Sequence, residues 1–104
     1  MSLVPEFFKD VEGFQWDEGN SQKNWVRHKV IQVEAEQVFL NRPLVVAPLV
    51  QENLREIRYF ALGKTDAGRL LTIVFTLRDR LVRVISARPM SRPERKAYAS
   101  TKTS

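Results

Sequence analysis

The sequence predicts a single α+β domain in which an antiparallel β-meander packs against helices. Three short β-rich stretches with turns between them follow one another from residue 57 to residue 87, a pattern typical of a meander. Two helical segments precede them and one follows, giving the order β-α-α-β-β-β-β-α with the helices expected on one face of the sheet. A chain of 104 residues suits one such domain.

The N-terminal elements are predicted from alternation and capping signals. Phe14, Gln15 and Trp16 alternate apolar and polar character and predict a short strand. Asp17 is a favourable N-cap for a helix over residues 18–29. A second helix over residues 32–40 is expected to end before Pro43, which cannot continue the backbone ladder.

Four further strands are predicted, separated by turns. Pro48 lies in the first of them and indicates an edge strand, because proline cannot donate to the ladder. Gly63 and Gly68 bound a turn where positive φ angles are favourable. The strands are expected at 44–50, 57–62, 70–77 and 81–87, with turns at 63–68 and 78–80.

A capping box predicts the last helix. Ser91 is its N-cap and Glu94 stands three residues later, with helical residues reaching Ala99. We therefore expect a flexible lead-in over residues 1–13, one domain over residues 14–99, and a frayed tail over residues 100–104.

Positive charge is concentrated in the C-terminal half. Residues 55–104 carry 12 Lys/Arg and 4 Asp/Glu, a net of +8, whereas residues 1–54 carry 5 and 8, a net of −3. Arginine presents planar paired donors that match phosphate. This asymmetry favours a polyanionic partner; the alternative is a solvated basic surface that binds nothing.

Strand alternation indicates which arginines share a surface. Thr72 and Thr76 should lie on the more polar face of the central strand, opposite Ile73 and Phe75. Uninterrupted alternation would place Arg83 on the opposite side from Arg88 in the last strand. The open face is expected to bind phosphate with four arginines at its rim, namely Arg58, Arg69, Arg88 and Arg92.

The remaining chemistry is limited by composition. Without cysteine, disulfides and thiolate sites are excluded, and the scattered carboxylates predict no metal site and no cofactor. His28, the single histidine, could transfer protons or simply cap the first helix. A nuclease built this way would use the RNA 2′-hydroxyl and spare DNA. Neither a signal peptide nor a membrane-spanning run is visible.

Two ordered series of motifs resemble the BrnT-type toxins. The first contains Phe14-x-Trp16-Asp17 and Asn24-x-x-Arg27-His28-x-Val30. The second runs from Arg58 to Tyr98 and comprises Gly63, Thr65, Gly68-Arg69-Leu70-Leu71, Val74-Phe75-Thr76, Arg83-x-Ile85-Ser86-Ala87-Arg88 and Arg92-x-Glu94-Arg95-x-x-Tyr98.

This resemblance implies a RelE-like fold and a metal-independent ribonuclease that arrests translation in the cytoplasm. It also implies an antitoxin partner of the BrnA type, in a complex of two toxins and two antitoxins that represses its own operon. RNA is then the substrate, DNA is contacted only through the antitoxin, and no membrane is involved.

The candidate site residues combine the charge pattern with this resemblance. Candidates for catalysis are His28, Arg58, Arg69, Arg83, Arg88 and Glu94. Candidates for RNA binding are Arg27, Lys64, Arg80, Arg92, Arg95 and Tyr98, the last by stacking on a base.

Three positions depart from the family pattern. Asn20 replaces a lysine, Lys29 replaces a glycine, and Gln32 replaces a serine. The loss of the lysine removes one phosphate contact and favours an alternative function, a catalytically weakened module that binds RNA or antitoxin. Direct DNA binding is a weaker alternative, because no helix-turn-helix is visible.

Overall fold

A computed structural model describes residues 10–16, 28–49 and 57–101. Within these ranges the chain forms a five-stranded sheet and two helices. Their bounds are β1 Gly13–Gln15, α1 Gln32–Leu40, β2 Val45–Leu49, β3 Arg58–Lys64, β4 Leu70–Arg78, β5 Leu81–Pro89 and α2 Arg92–Ser100. Most of the helix predicted over 18–29 and the connection after β2 lie outside the described residues.

The sheet has the strand order β1-β5-β4-β3-β2. The predicted meander is confirmed, since β2 to β5 pair antiparallel in sequence order. Asp79 and Arg80 both have positive φ, as a two-residue hairpin turn requires, and the strand containing Pro48 lies at an edge. The N-terminal strand β1, for which the sequence predicted no partner, pairs parallel with β5, so the sheet is mixed.

Helix α1 packs on one face of the sheet through Ala35, Val38 and Phe39. The Phe39 ring contacts that of Phe75 edge-on at 5.2 Å. A Cβ at Gly63 would lie 2.7 Å from Val38 Cγ1, so only glycine permits this approach of helix to strand. Gly63 lies within β3, so the turn predicted over 63–68 starts later than expected.

Helix α2 packs on the opposite face. Tyr98 joins Leu62 in a second buried cluster, and Glu94 accepts a hydrogen bond from Thr72. Leu62 and Gly63 are consecutive in β3, so their Cβ directions point to opposite sides of the sheet. The two described helices thus cover different faces, which corrects the expectation that all helices share one.

A β-bulge in β5 changes the predicted alternation. Val74 pairs with Ser86, but Phe75 pairs with Val84, which leaves Ile85 as the extra residue. A bulge resets which side chains share a face. Arg83 therefore lies on the same face as Arg88, and the expectation that they face opposite sides was wrong.

The folded part begins before the expected boundary at residue 14. Val11 packs against the core, and the Glu12 N–H donates to the Arg80 carbonyl at 2.8 Å. Phe14 contacts Phe39 at 5.5 Å, while the Trp16 indole donates to Glu36 at 2.7 Å. These contacts fix β1 against α1 on the apolar face. Neither α1 nor α2, the described helices, is long and apolar enough to cross a bilayer.

Candidate active site

Three polar side chains form a row across neighbouring strands on the face opposite α1. Thr76 of β4 pairs with Arg58 of β3 on one side and with Arg83 of β5 on the other. Directly paired residues project to the same side of a sheet. With neighbouring strands about 4.8 Å apart, the two arginine backbones are about 10 Å apart. We refer to Arg58, Thr76 and Arg83 as the arginine row.

Thr76 is the buried centre of the arginine row. Its side chain is 2% exposed, and its hydroxyl donates to the Ile57 carbonyl at 2.9 Å. Beside it, the Nε of Arg58 is buried and has no hydrogen-bond partner among the described residues. A buried donor without a partner costs free energy, so this N–H is available to an oxygen supplied by a ligand.

A second polar group lies on the same face, about 13 Å along β4. Arg88 donates to both carboxylate oxygens of Glu94, at 2.7 and 2.9 Å. Thr72 pairs with Arg88 across the strands and donates to Glu94 at 2.9 Å. We call Thr72, Arg88 and Glu94 the Arg88 group.

The Arg88 group fixes the charge of its carboxylate. The pKa of Glu94 is lowered to about 2, chiefly by the hydrogen bond from Arg88 and also by those from Ser91 and Thr72, while burial acts in the opposite direction. The same pair raises the pKa of Arg88. Glu94 is therefore ionised near neutral pH, which suits it to orienting Arg88 and makes it a poor proton carrier.

Arg69 lies on the other side of the sheet. Its guanidinium donates to the carbonyls of Lys29 at 2.7 Å and His28 at 2.9 Å, and pairs with Glu34 of α1 at 3.2 Å. Arg69 immediately precedes β4 and stands two residues before Leu71, which packs in the core beside α1. Side chains two residues apart along a strand point to the same face, so Arg69 also faces α1. The structure thus separates Arg69 from the arginine row and makes it a clamp on a backbone turn.

His28 is located through its backbone. It is in a helical conformation, and Lys29 follows it in the left-handed region with φ of 57°. Glycine is favoured in that conformation, so Lys29 places a side chain where the backbone suits glycine. Within the described residues no hydrogen bond joins the His28 ring to Arg58, Arg83 or Arg88.

Tyr98 is a core residue. It is 1% exposed, packs with Leu62 and Met90, and donates its hydroxyl to the Pro43 carbonyl at 2.6 Å. Burial raises the pKa of its phenol. A ring in this environment has no face open to a base, which corrects the expectation that Tyr98 stacks on RNA.

The other RNA-binding candidates are spread over the surface. Arg80 forms an exposed ion pair with Glu12 at 3.4 Å in the β4–β5 turn, and Lys64 is half-buried at the end of β3. Arg92 and Arg95 are exposed on α2, which covers part of the same face as the arginine row. Arg27, together with Asn20, lies outside the described residues.

Sequence reasoning missed three polar neighbours of these arginines. Thr72 and Thr76 were assigned to the polar face but not to the site, although their alternation in β4 was a usable signal. Gln15 stands beside Arg83 in the β1–β5 register, and only knowledge of the parallel pairing could have found it. Within the described ranges, no group of three or more His, Cys, Asp or Glu residues could hold a metal ion.

Comparison with known proteins identifies the family. The crystal structure of the ribonuclease toxin BrnT of Brucella abortus is similar with a TM-score of 0.56 and 19% identity, covering 79% of this chain and all of that one. No curated relative matches the sequence. A family model described as the ribonuclease toxin, BrnT, of type II toxin–antitoxin systems matches residues 16–94. The chain therefore belongs to the BrnT family of ribonuclease toxins.

Proposed function

We propose that this protein is an RNA endonuclease that works without a metal ion. The observation that carries the proposal is the arrangement of Arg58, Arg83 and Arg88 on one face of the sheet. Within the part of the chain that the structure describes, the buried Nε of Arg58 also has no hydrogen-bond partner. Three guanidinium groups on one polar face supply the positive charge that a bound RNA strand requires.

In the proposed reaction the RNA provides its own nucleophile. The 2′-oxygen attacks the neighbouring phosphorus, the bond to the 5′-oxygen breaks, and a 2′,3′-cyclic phosphate and a 5′-hydroxyl result. One proton leaves the 2′-hydroxyl and one is delivered to the departing 5′-oxygen. Guanidinium groups aimed at the phosphate stabilise the negative charge that develops on its oxygens. Arg58 and Arg83 are the proposed donors to the scissile phosphate.

We assign Arg88 a similar role at a different phosphate of the same strand, because the Arg88 group lies about 13 Å further along β4. Glu94 is the positioning residue for Arg88, held in turn by Thr72. A proton-transfer role for His28 stays a prediction, since nothing in the described ranges brings its ring to the arginines. Arg92 and Arg95 extend the basic surface over α2.

Membership of the family supports the biological part of the proposal. Cleavage of RNA in the cytoplasm would arrest translation, and a cognate antitoxin of the BrnA type would neutralise the toxin in a 2:2 complex. That complex would reach DNA through the antitoxin. The five-stranded sheet with helices on its faces also supports placing the chain in the RelE-like class.

The proposal is tested by incubating the purified protein with an RNA in the presence of EDTA. We expect cleavage into fragments with cyclic phosphate and 5′-hydroxyl ends, and no cleavage where the attacking nucleotide is 2′-deoxy. Arg83→Ala should reduce kcat/KM by about 10²–10³-fold, as for the loss of one donor to a developing oxyanion.

Lys96→Ala is the matched control. Lys96 is exposed on α2 two residues after Glu94, so it projects away from the Arg88 group, and the variant loses the same charge as Arg83→Ala. It should cleave at nearly the wild-type rate. Cleavage that depends on added metal would overturn the mechanism. An intact RNA that still binds tightly would indicate the weakened binding module instead.

A further inference from the structure

Gln15 extends the arginine row by one strand. It pairs with Arg83 in the parallel register of β1 and β5, so its backbone is about 4.8 Å from that of Arg83. Its neighbour Phe14 packs on Phe39 of α1, and alternation therefore turns Gln15 to the face that carries the arginine row. The row then reads Gln15, Arg83, Thr76 and Arg58 across four strands.

The side chain of Gln15 projects from β1 into solvent. Gln15 is exposed, and within the described part of the chain its amide makes no hydrogen bond. Its two neighbours in the sequence both contact the rest of the fold, Phe14 in the core and Trp16 through a hydrogen bond to Glu36. A strand fixed on one face thus presents a single polar side chain on the other.

The chemistry of an amide differs from that of the arginines beside it. A guanidinium offers only donors and suits phosphate, whereas a glutamine amide offers one donor group and one acceptor. Paired donor and acceptor groups match the edge of a base, with adenine N7 and N6 as the favoured partner. Protein recognition of single-stranded RNA relies on such contacts to base edges.

We propose that Gln15 is a specificity-determining residue that contacts the base of the nucleotide next to the phosphate held by Arg83, with a preference for adenine. This proposal rests on the proposed ribonuclease function. The phosphate contacts of the arginine row set the position of the strand, and Gln15 selects which base occupies the adjacent place.

The test is the base composition around the cut sites. A random-sequence RNA is cleaved by the wild-type protein and by Gln15→Ala, and the fragment ends are sequenced. We expect adenine to be enriched beside the cut in the wild type and the enrichment to fall by about tenfold in Gln15→Ala, the size of one lost base contact. Gln15→Glu should move the preference toward cytosine, because a carboxylate can accept a hydrogen bond from the cytosine amino group.

Gln32→Ala is the matched control, because Gln32 is an exposed glutamine on α1, which packs on the opposite face. Its cleavage profile should equal that of the wild type, and all three variants should keep the wild-type Tm. If the wild type cuts RNA and Gln15→Ala cuts with the same base profile, this proposal is overturned while the ribonuclease function stands. A wild type that cuts no RNA overturns both.

Discussion

Arg69 and Arg88 are built into the fold in the same way but lie on opposite faces of the sheet. Each arginine pairs with a glutamate at the third position of a helix, Glu34 in α1 and Glu94 in α2. Each glutamate also accepts the N–H of its helix N-cap, that of Ile31 or of Ser91. Capping and ion pairing are thus combined in one carboxylate at both sites.

The difference is in what the rest of each guanidinium contacts. Arg69 donates to the carbonyls of His28 and Lys29, at the point where the chain turns toward α1. Arg88 stands beside Thr72 on the polar face, and its two shortest hydrogen bonds both go to Glu94. Two motif arginines of equal charge therefore divide into a structural clamp and a candidate ligand for phosphate.

The largest expected effect is a difference in RNA cleavage activity between the Arg88 and Arg69 variants. Arg88→Ala should lower kcat/KM for RNA cleavage by about 10–100-fold, the size of one lost charged hydrogen bond, because it removes the cation proposed to hold a second phosphate of the strand. Arg69→Ala should lower it by less than about tenfold, because Arg69 faces α1. Both variants are assayed well below their Tm, with Lys96→Ala as the control for lost charge. Equal losses in two folded variants would show that the His28 end belongs to the active site.

The sequence predicted the elements better than it predicted their faces. Alternation in β4 placed Thr72 and Thr76 correctly, because that strand has no irregularity of its own. It failed for Arg83, because a bulge at Ile85 is a property of strand pairing and leaves no local pattern. The capping box of Ser91 and Glu94 was visible from spacing alone.

The tertiary contacts of the candidate site were not predictable from spacing. Arg69 stood in a strong motif, and only the structure shows that its partners are backbone carbonyls forty residues earlier. Tyr98 stood in the same motif series and proved to be buried. The motifs singled out Arg69, Arg88 and Tyr98 alike, and the packing of α1 and α2 decides which of them stabilise the fold.

The next effect is a difference in the free energy of unfolding between the same two variants. Arg69→Ala removes the hydrogen bonds to the His28 and Lys29 carbonyls and the ion pair with Glu34, and should lower the free energy of unfolding by about 2 kcal/mol. For a domain of this size that corresponds to a decrease in Tm on the order of 10 °C. Arg88→Ala should cost only about 1 kcal/mol, since Thr72 and Ser91 still donate to Glu94. Thermal denaturation at neutral pH measures both, and a larger loss for Arg88→Ala would reverse the assignment of the clamp.

The smallest expected effect concerns acid stability. Because hydrogen bonds, chiefly the one from Arg88, lower the pKa of Glu94 to about 2 from an unfolded value of 4.5, the ionised carboxylate stabilises the fold above pH 4.5. This contribution is lost as the pH falls from 4.5 through 2. The free energy of unfolding of Glu94→Gln should therefore fall less on acidification than that of the wild type. The difference should be about 1 kcal/mol, as for a partly exposed pair.

Denaturant titrations at pH 7 and pH 3 measure the difference in unfolding free energy for each variant. Glu12→Gln is the control, because its ion pair with Arg80 at 3.4 Å is exposed and should contribute little. A wild type and a Glu94→Gln variant that lose the same stability between these pH values would show that the Arg88 group does not hold its carboxylate. Arg88 would then be a freely moving surface arginine, and its difference from Arg69 would be one of mobility as well as of face.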